Sequence, residues 1–159
     1  MNEEEARARL DETGAAIVAG VERCVPAWAE REVGRILDAW GALTGVARRR
    51  VEADARAAGD RAAERVAGAL RALLASDADE QAATPLEVVR TAYREPTGVL
   101  AAAGVPAVVR DEFDERAWPD DRYGLVPRSL GDLGDDALSP LHLAWGMAKA
   151  AVVRARRTK

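Results

Sequence analysis

The sequence predicts an all-α protein: a long N-terminal helical arm or hairpin, then a compact C-terminal bundle of short, proline-punctuated helices. Three observations carry that expectation. Apolar residues recur at alternating steps of three and four over most of residues 1–75, which is the period of one helix face. Only seven of the 159 residues are aromatic, so small aliphatic side chains dominate the core and suit closely approaching helices better than a sheet. No stretch alternates apolar and polar residues with the period of a half-buried strand. A chain of this length is expected to form a single helical domain, 1–159, with the arm at 1–76 and the compact module at 84–159.

The first helix is predicted over 3–24, with Glu3, Glu4 and Glu5 favourably placed in its opening turn. Leu10, Ile17, Val18, Val21 and Val25 form its inward stripe, and Pro26 is expected to end it or reset its phase. From Trp28 the period resumes through Val33, Leu37, Trp40, Val51, Ala58, Ala62, Val66 and Leu73. An unbroken helix over 28–75 would be on the order of 70 Å long. A compact chain of this size has a radius of gyration of roughly 15 Å. Such a helix either breaks between Gly41 and Gly45, so that the pieces fold into a closed bundle, or projects beyond the domain. In the second case Val51, Ala58, Ala62 and Val66 would be buried against a second copy, and the expected assembly is a homodimer.

"SDADEQAATP" (76–85) is an acidic connector closed by proline. Thr84 followed by Pro85 is a helix start signal. The helix it opens, "PLEVVRTAYRE", turns Leu86, Val88, Val89 and Tyr93 inward and continues past Pro96 with a kink. Gly104 stops it, and Pro106 is expected to begin another short helix carrying Val109, Phe113 and Trp118 inward. "LGDLGDDALSP" reads as a turn region, after which Ser139 caps and Pro140 opens the last helix. Its predicted inward face is Leu141, Ala144, Trp145, Ala148, Val152 and Ala155.

Charge and cysteine content narrow the function classes. Arginine outnumbers lysine 21 to 2, an excess that accompanies abundant alanine in the manner of GC-rich codon usage. Residues 1–80 carry 16 acidic and 12 basic side chains and residues 81–159 carry 11 of each, so neither half is a basic nucleic-acid domain. The single cysteine, Cys24, excludes an intramolecular disulfide and suits a reducing compartment. The acidic opening "MNEEEARARL" is unlike a signal peptide, and no apolar run approaches the length of a membrane span. A cytoplasmic protein without a membrane partner is expected.

The stretch "WPDDRYGLVP" (118–127) gathers two aromatics, two prolines and paired aspartates. The order aromatic, proline, aspartate, aromatic, glycine is turn chemistry between helices. Trp118, Asp120, Asp121 and Tyr123 are therefore read as a joint in which an aspartate accepts local backbone hydrogen bonds, and as the candidate partner-binding surface. The acids at 111–115 and 120–121 lack the ordered spacing of a calcium loop, so no metal is expected. His142 is the one histidine; with Asp135, Asp136 and Ser139 nearby it marks the place of a small-molecule pocket or active site near Trp118 and Tyr123, if one exists. Arg154, Arg156, Arg157 and Lys159 in the acid-free tail are the candidate nucleic-acid contacts, although cations at a helix C-terminus also complement its dipole. Phosphate loops and dinucleotide fingerprints are absent, and no cofactor is expected.

Residues 73–157, through "DEQAATPLEVVRTAYREPTGVLAAAGVPAVVRDEFDERAWPDDRYGLVP" and "LAWGMAKAAV", resemble a small actinobacterial helical protein family without an assigned activity. The resemblance implies a source lineage and a cytoplasmic setting. The function expected from the whole chain is a non-enzymatic interaction or scaffold protein that self-associates through its arm. The alternatives are a nucleic-acid-associated protein using the C-terminal arginines, and a helical small-molecule binder or enzyme.

Overall fold

Asn2 caps the first helix, its side chain accepting from the Glu5 amide while the Glu5 carboxylate accepts from the Asn2 amide. The computed structural model describes residues 2–76, 83–108 and 121–157. They form five α-helices: α1 (Glu3–Trp40), α2 (Gly45–Ala75), α3 (Pro85–Arg90), α4 (Arg94–Ala102) and α5 (Leu138–Arg157). Single 3-10 turns at Thr91–Tyr93 and Leu130–Leu133 join the shorter elements. No strand occurs among the described residues, and the all-α expectation is met.

Of the two alternatives for the arm, the structure takes the break. Gly41 adopts a left-handed φ of 68° and its amide closes the helix on the Leu37 carbonyl at 2.9 Å. Gly45 also has positive φ, at 57°, so both ends of the "GALTG" loop use backbone that side-chain-bearing residues rarely adopt. Arg48 staples the loop shut, with Asp38 at 2.6 Å and Glu52 at 2.8 Å. These two carboxylates hold its guanidinium above the ordinary arginine value, Asp38 having the larger effect.

The break lets α2 fold back antiparallel along α1. The register is fixed at two places: Leu74 lies over Gly14, and Gly59 meets Pro26. Pro26 therefore does not end the first helix, contrary to the sequence expectation; it lies inside α1. A proline in a helix interior costs about 3 kcal/mol. Here the cost is offset because the surrounding surface is dry: Val21, Val25, Ala29 and Val33 are fully buried, and a buried aliphatic side chain of valine size contributes about 1.5 kcal/mol or more. A Cβ on Gly59 would lie 2.7 Å from the Pro26 Cα, so the two backbones come close enough to touch only because position 59 has no side chain.

The same geometry corrects the homodimer seam. Ala58, Ala62 and Val66 are 0%, 2% and 3% exposed within a single chain. They are covered within the chain, Ala62 and Val66 beside Thr91 and Ala92 of the turn before α4, so a second copy has no stripe to cover there. Val51 is half-buried beside α4, with Val99 on the opposite wall of the same groove.

On the other side of α1, α5 runs antiparallel with Leu138 over Gly20 and Arg156 3.5 Å from Glu3. Thus α1 is the central helix, with α2 and the α3–α4 pair on one flank and α5 on the other. Thr84 caps α3 reciprocally with Glu87, as the sequence predicts. Residues 106–108 are not helical, and the remainder of the helix expected after Pro106 lies outside the described residues. The last helix begins one residue before Ser139, whose hydroxyl accepts instead from the Gly131 amide at 3.0 Å. It is a tether for the preceding turn rather than the expected cap.

Candidate functional site

Two regions answer to the sequence-predicted site residues. The first is the joint. Asp121 is 5% exposed, and its Oδ1 accepts from the amides of Tyr123, Gly124 and Leu125 at 3.3, 2.7 and 3.1 Å. This is an Asx-type turn wound around one carboxylate oxygen. Gly124 completes it with a φ of 72°. Tyr123 is buried, and its hydroxyl donates to the Val105 carbonyl at 3.0 Å. The described part of the joint is thus a folded-back corner whose Asp121 carboxylate and Tyr123 hydroxyl are engaged by local backbone, and each of the two residues is only 5% exposed. Trp118 and Asp120 lie outside the described residues.

The second region is the outer face of α5. Leu143 and Met147, one helical turn apart, are 68% and 65% exposed. They stand over a groove of about 630 Å³ that runs along α5 from Ser139 to Arg154 and takes Arg9 of α1 into its wall. Gly146 and Ala150 are exposed on the same face, and nothing lies within 4 Å of where a Gly146 Cβ would be. Most of the surface the groove offers is therefore carbon, with hydroxyl, imidazole and guanidinium groups at its margins.

His142 lines this groove half-buried, its ring 6.5 Å from that of Trp145 at an interplanar angle of 22°. Burial holds the imidazole below its ordinary value of 6.5, so it is neutral near pH 7. No carboxylate stands among the described residues that line the groove. Asp135 is engaged elsewhere: the Ala137 amide at 2.9 Å and the Arg23 guanidinium hold its carboxyl below the ordinary range. His142 and Ser139 therefore share a groove with no orienting acid among its described lining residues, and Ser139 is tethered to Gly131. Beneath them Trp145 is 3% exposed, and its Nε1 finds no hydrogen-bond acceptor. The Lys149 ammonium sits 5.4 Å from the centroid of its ring.

The C-terminal arginines do not form one patch. Arg154 lines the α5 groove, with Nε 3.3 Å from the Ala150 carbonyl; Arg156 turns to Glu3; Arg157 is exposed. Lys159 lies outside the described residues. Among the described residues no three His, Cys, Asp or Glu side chains converge as metal ligands, and no helix is long and apolar enough to cross a membrane.

Sequence reasoning missed Leu143, Met147 and Arg9. The signal was present. α5 carries Leu141, Leu143, Trp145, Met147 and Val152, and these cannot all lie on one stripe of a helix with 3.6 residues per turn. Reading a single inward face left the second one unassigned. No protein-family model, curated protein or solved structure matches this chain.

Proposed function

We propose that the protein is a non-enzymatic interaction module that docks a partner protein on the outer face of α5. The observation that carries this reading is the exposure of Leu143 and Met147 one turn apart over a continuous apolar groove. Scattered surface hydrophobics are ordinary, but contiguous ones on a grooved face are the usual mark of a contact site. Two features favour docking over catalysis: the groove runs along the outer side of a helix, and among its described lining residues no acid accompanies the one histidine.

Self-association through the arm finds little support, because Ala58, Ala62 and Val66 are already buried within a single chain. Nucleic-acid binding by the tail is likewise weakened by the division of its arginines between Glu3, the groove and solvent. The reading is consistent with a cytoplasmic protein whose only thiol is kept buried and reduced.

The test is affinity capture from the native host with the unmodified chain and with Leu143→Glu/Met147→Glu, followed by mass spectrometry. The double variant should lose the captured proteins while its circular dichroism and melting temperature stay unchanged. Capture of the same proteins by both would remove α5 as the docking face.

A further inference from the structure

The occupant of the α5 groove can be read from the order of residues along α5, a step that rests on the docking reading above. The outward stripe of α5 includes Leu143, Gly146, Met147, Ala150 and, at its end, Arg157, all exposed. Its large and small members are arranged symmetrically about a point midway between positions 146 and 147. Leu143 and Ala150 are equally far from that point, and so are Met147 and Gly146.

Two antiparallel helices related by a two-fold axis through that point set each residue against the one equally far beyond it on the other copy. Leu143 then stands over Ala150 of the second copy, and Met147 over its Gly146. Each large side chain meets a hole: nothing lies within 4 Å of where a Gly146 Cβ would be, and Ala150 offers a single methyl group. With no bulky residue at the centre, the axes can approach to roughly 8 Å. A slip of one turn in one direction sets Leu143 against Met147, large on large; in the other it sets Gly146 against Ala150, small on small.

Charge selects the same register. Asp136, exposed just before α5, and Arg157, exposed at its last residue, are also equally far from the midpoint. The antiparallel pair therefore brings the carboxylate of each copy to the guanidinium of the other at both ends. Arg9 of the groove wall lies about level with Ala150, given Leu138 over Gly20 and Arg156 beside Glu3. It stands off the axis, its two copies on the order of 10 Å apart along the helices, about a Debye length at ordinary salt.

We infer that the α5 groove is filled by α5 of a second copy of this chain, laid antiparallel about a two-fold axis between Gly146 and Met147. Area sets the strength. One pair of 20-residue helices buries less than the roughly 1,600 Å² of a standard interface, so the dimer is reversible, with a dissociation constant on the order of 10 µM.

The experiment is sedimentation equilibrium of the intact chain from about 1 µM to about 300 µM. The average mass should rise from 17.0 kDa toward twice that value. Gly146→Leu fills the hole and should weaken association about tenfold or more, since each dimer carries the change twice. Its melting temperature should not fall, because the space is open in the single chain and leucine is the better helix former. Arg157→Glu should weaken association about fivefold at low salt. Asp136→Arg/Arg157→Glu should restore it, because the exchanged charges face each other again. Melting curves of the charge variants control for folding.

A mass of 17.0 kDa at every concentration would overturn the inference. So would a dimer insensitive to Gly146→Leu or to Arg157→Glu, or one that the double reversal does not restore. Docking itself is judged apart from this. A single chain whose captured proteins are still lost in Leu143→Glu/Met147→Glu would give the groove to a different protein; a single chain with capture unchanged would remove both readings.

Discussion

α2 and α5 are both laid antiparallel along α1, and each buries one stripe against it, yet their outer faces are opposite in character. The outer face of α2 carries Arg49, Asp60 and Glu64, all exposed. The outer face of α5 carries Leu143, Gly146, Met147 and Ala150, also exposed. Water is an adequate partner for the first and a poor one for the second. A helix in a bundle is thus completed by its neighbour on one side and by its solvent-facing residues on the other. α2 meets both conditions and α5 meets only the first, so the two helices should respond differently to the same kinds of substitution.

The largest difference should come from glutamate placed on each. Val66→Glu forces a carboxylate into the core beneath α2, where Val66 is 3% exposed beside Thr91 and Ala92; we expect a loss of about 4 kcal/mol or more. In a chain of this size that is a fall of about 10 °C or more in melting temperature, or no folded protein at all. Met147→Glu on α5 should move the melting temperature by no more than about 2 °C, since a surface substitution is usually within about 0.5 kcal/mol. Thermal unfolding followed by circular dichroism makes the comparison; similar losses in the two variants would show that the outer face of α5 is not solvent-exposed.

Next come the glycines at the two seams. A Cβ at Gly59 would sit 2.7 Å from the Pro26 Cα and 2.9 Å from the Ala29 Cβ, with backbone that cannot yield locally. Gly59→Ala should therefore be net destabilising by about 2 kcal/mol, even after the gain in helix propensity of about 1 kcal/mol. At Gly20 the nearer clash, 2.4 Å, is with the Leu138 Cδ2, the far end of a side chain that can rotate away. Gly20→Ala should fall within about 1 kcal/mol of the parent in denaturant melts. The shorter distance gives the smaller penalty. An inverted order would mean that the α1–α5 seam is the more rigid of the two.

A smaller effect concerns acid. His142 lies below its ordinary 6.5 because burial disfavours its charged form. The unfolded chain therefore binds the proton more readily than the folded one. The stability this group contributes is present above pH 6.5 and is lost as pH falls from there toward the folded-state value. His142→Gln should flatten the decline in melting temperature between pH 7 and 5 relative to the unmodified chain. Parallel slopes in the two proteins would contradict the burial of the imidazole.

The smallest effect is at the tail. Truncation after Val153 removes the Arg156–Glu3 pair and half-buried Ala155. A partly exposed pair of this kind is worth at most about 1 kcal/mol, so the melting temperature should fall by no more than about 4 °C. A larger fall would place the α5 terminus among the elements that hold α1.

The helical stripes were legible because periodicity is a local property. Leu10, Ile17, Val21 and Val25 on α1, and Ala58, Ala62, Val66 and Leu70 on α2, are all buried. Thr84–Pro85 marked a helix start correctly, and the order of residues around Asp121 announced its turn. What remained hidden depended on contacts between distant positions. Pro26 reads as a terminator until Gly59, more than 30 residues away, is known to press on it. Ser139 reads as a cap until Gly131 is found donating to its hydroxyl. The arm's stripe was recognised, but not what would cover it, because the choice between α1 and a second copy turns on four loop residues, 41–44. The outer face of α5 is hidden for a different reason: Leu143 and Met147 form a helical stripe of their own, and only the packing against α1 decides which stripe of α5 is covered.

Cys24 gives the central position of α1 an experimental handle. It is the only thiol in the chain and is 8% exposed, on the helix that both flanks share. An aromatic disulfide reagent reaches it readily only after α1 has parted from its neighbours. The rate of modification under native conditions then follows the population of molecules in which the bundle has opened, provided reclosing is fast. A single natural sulfur atom thus serves as a clock for opening of the fold, without any engineered label. Because α2 and α5 both lean on the helix that carries it, the same clock can time the loosening of either seam.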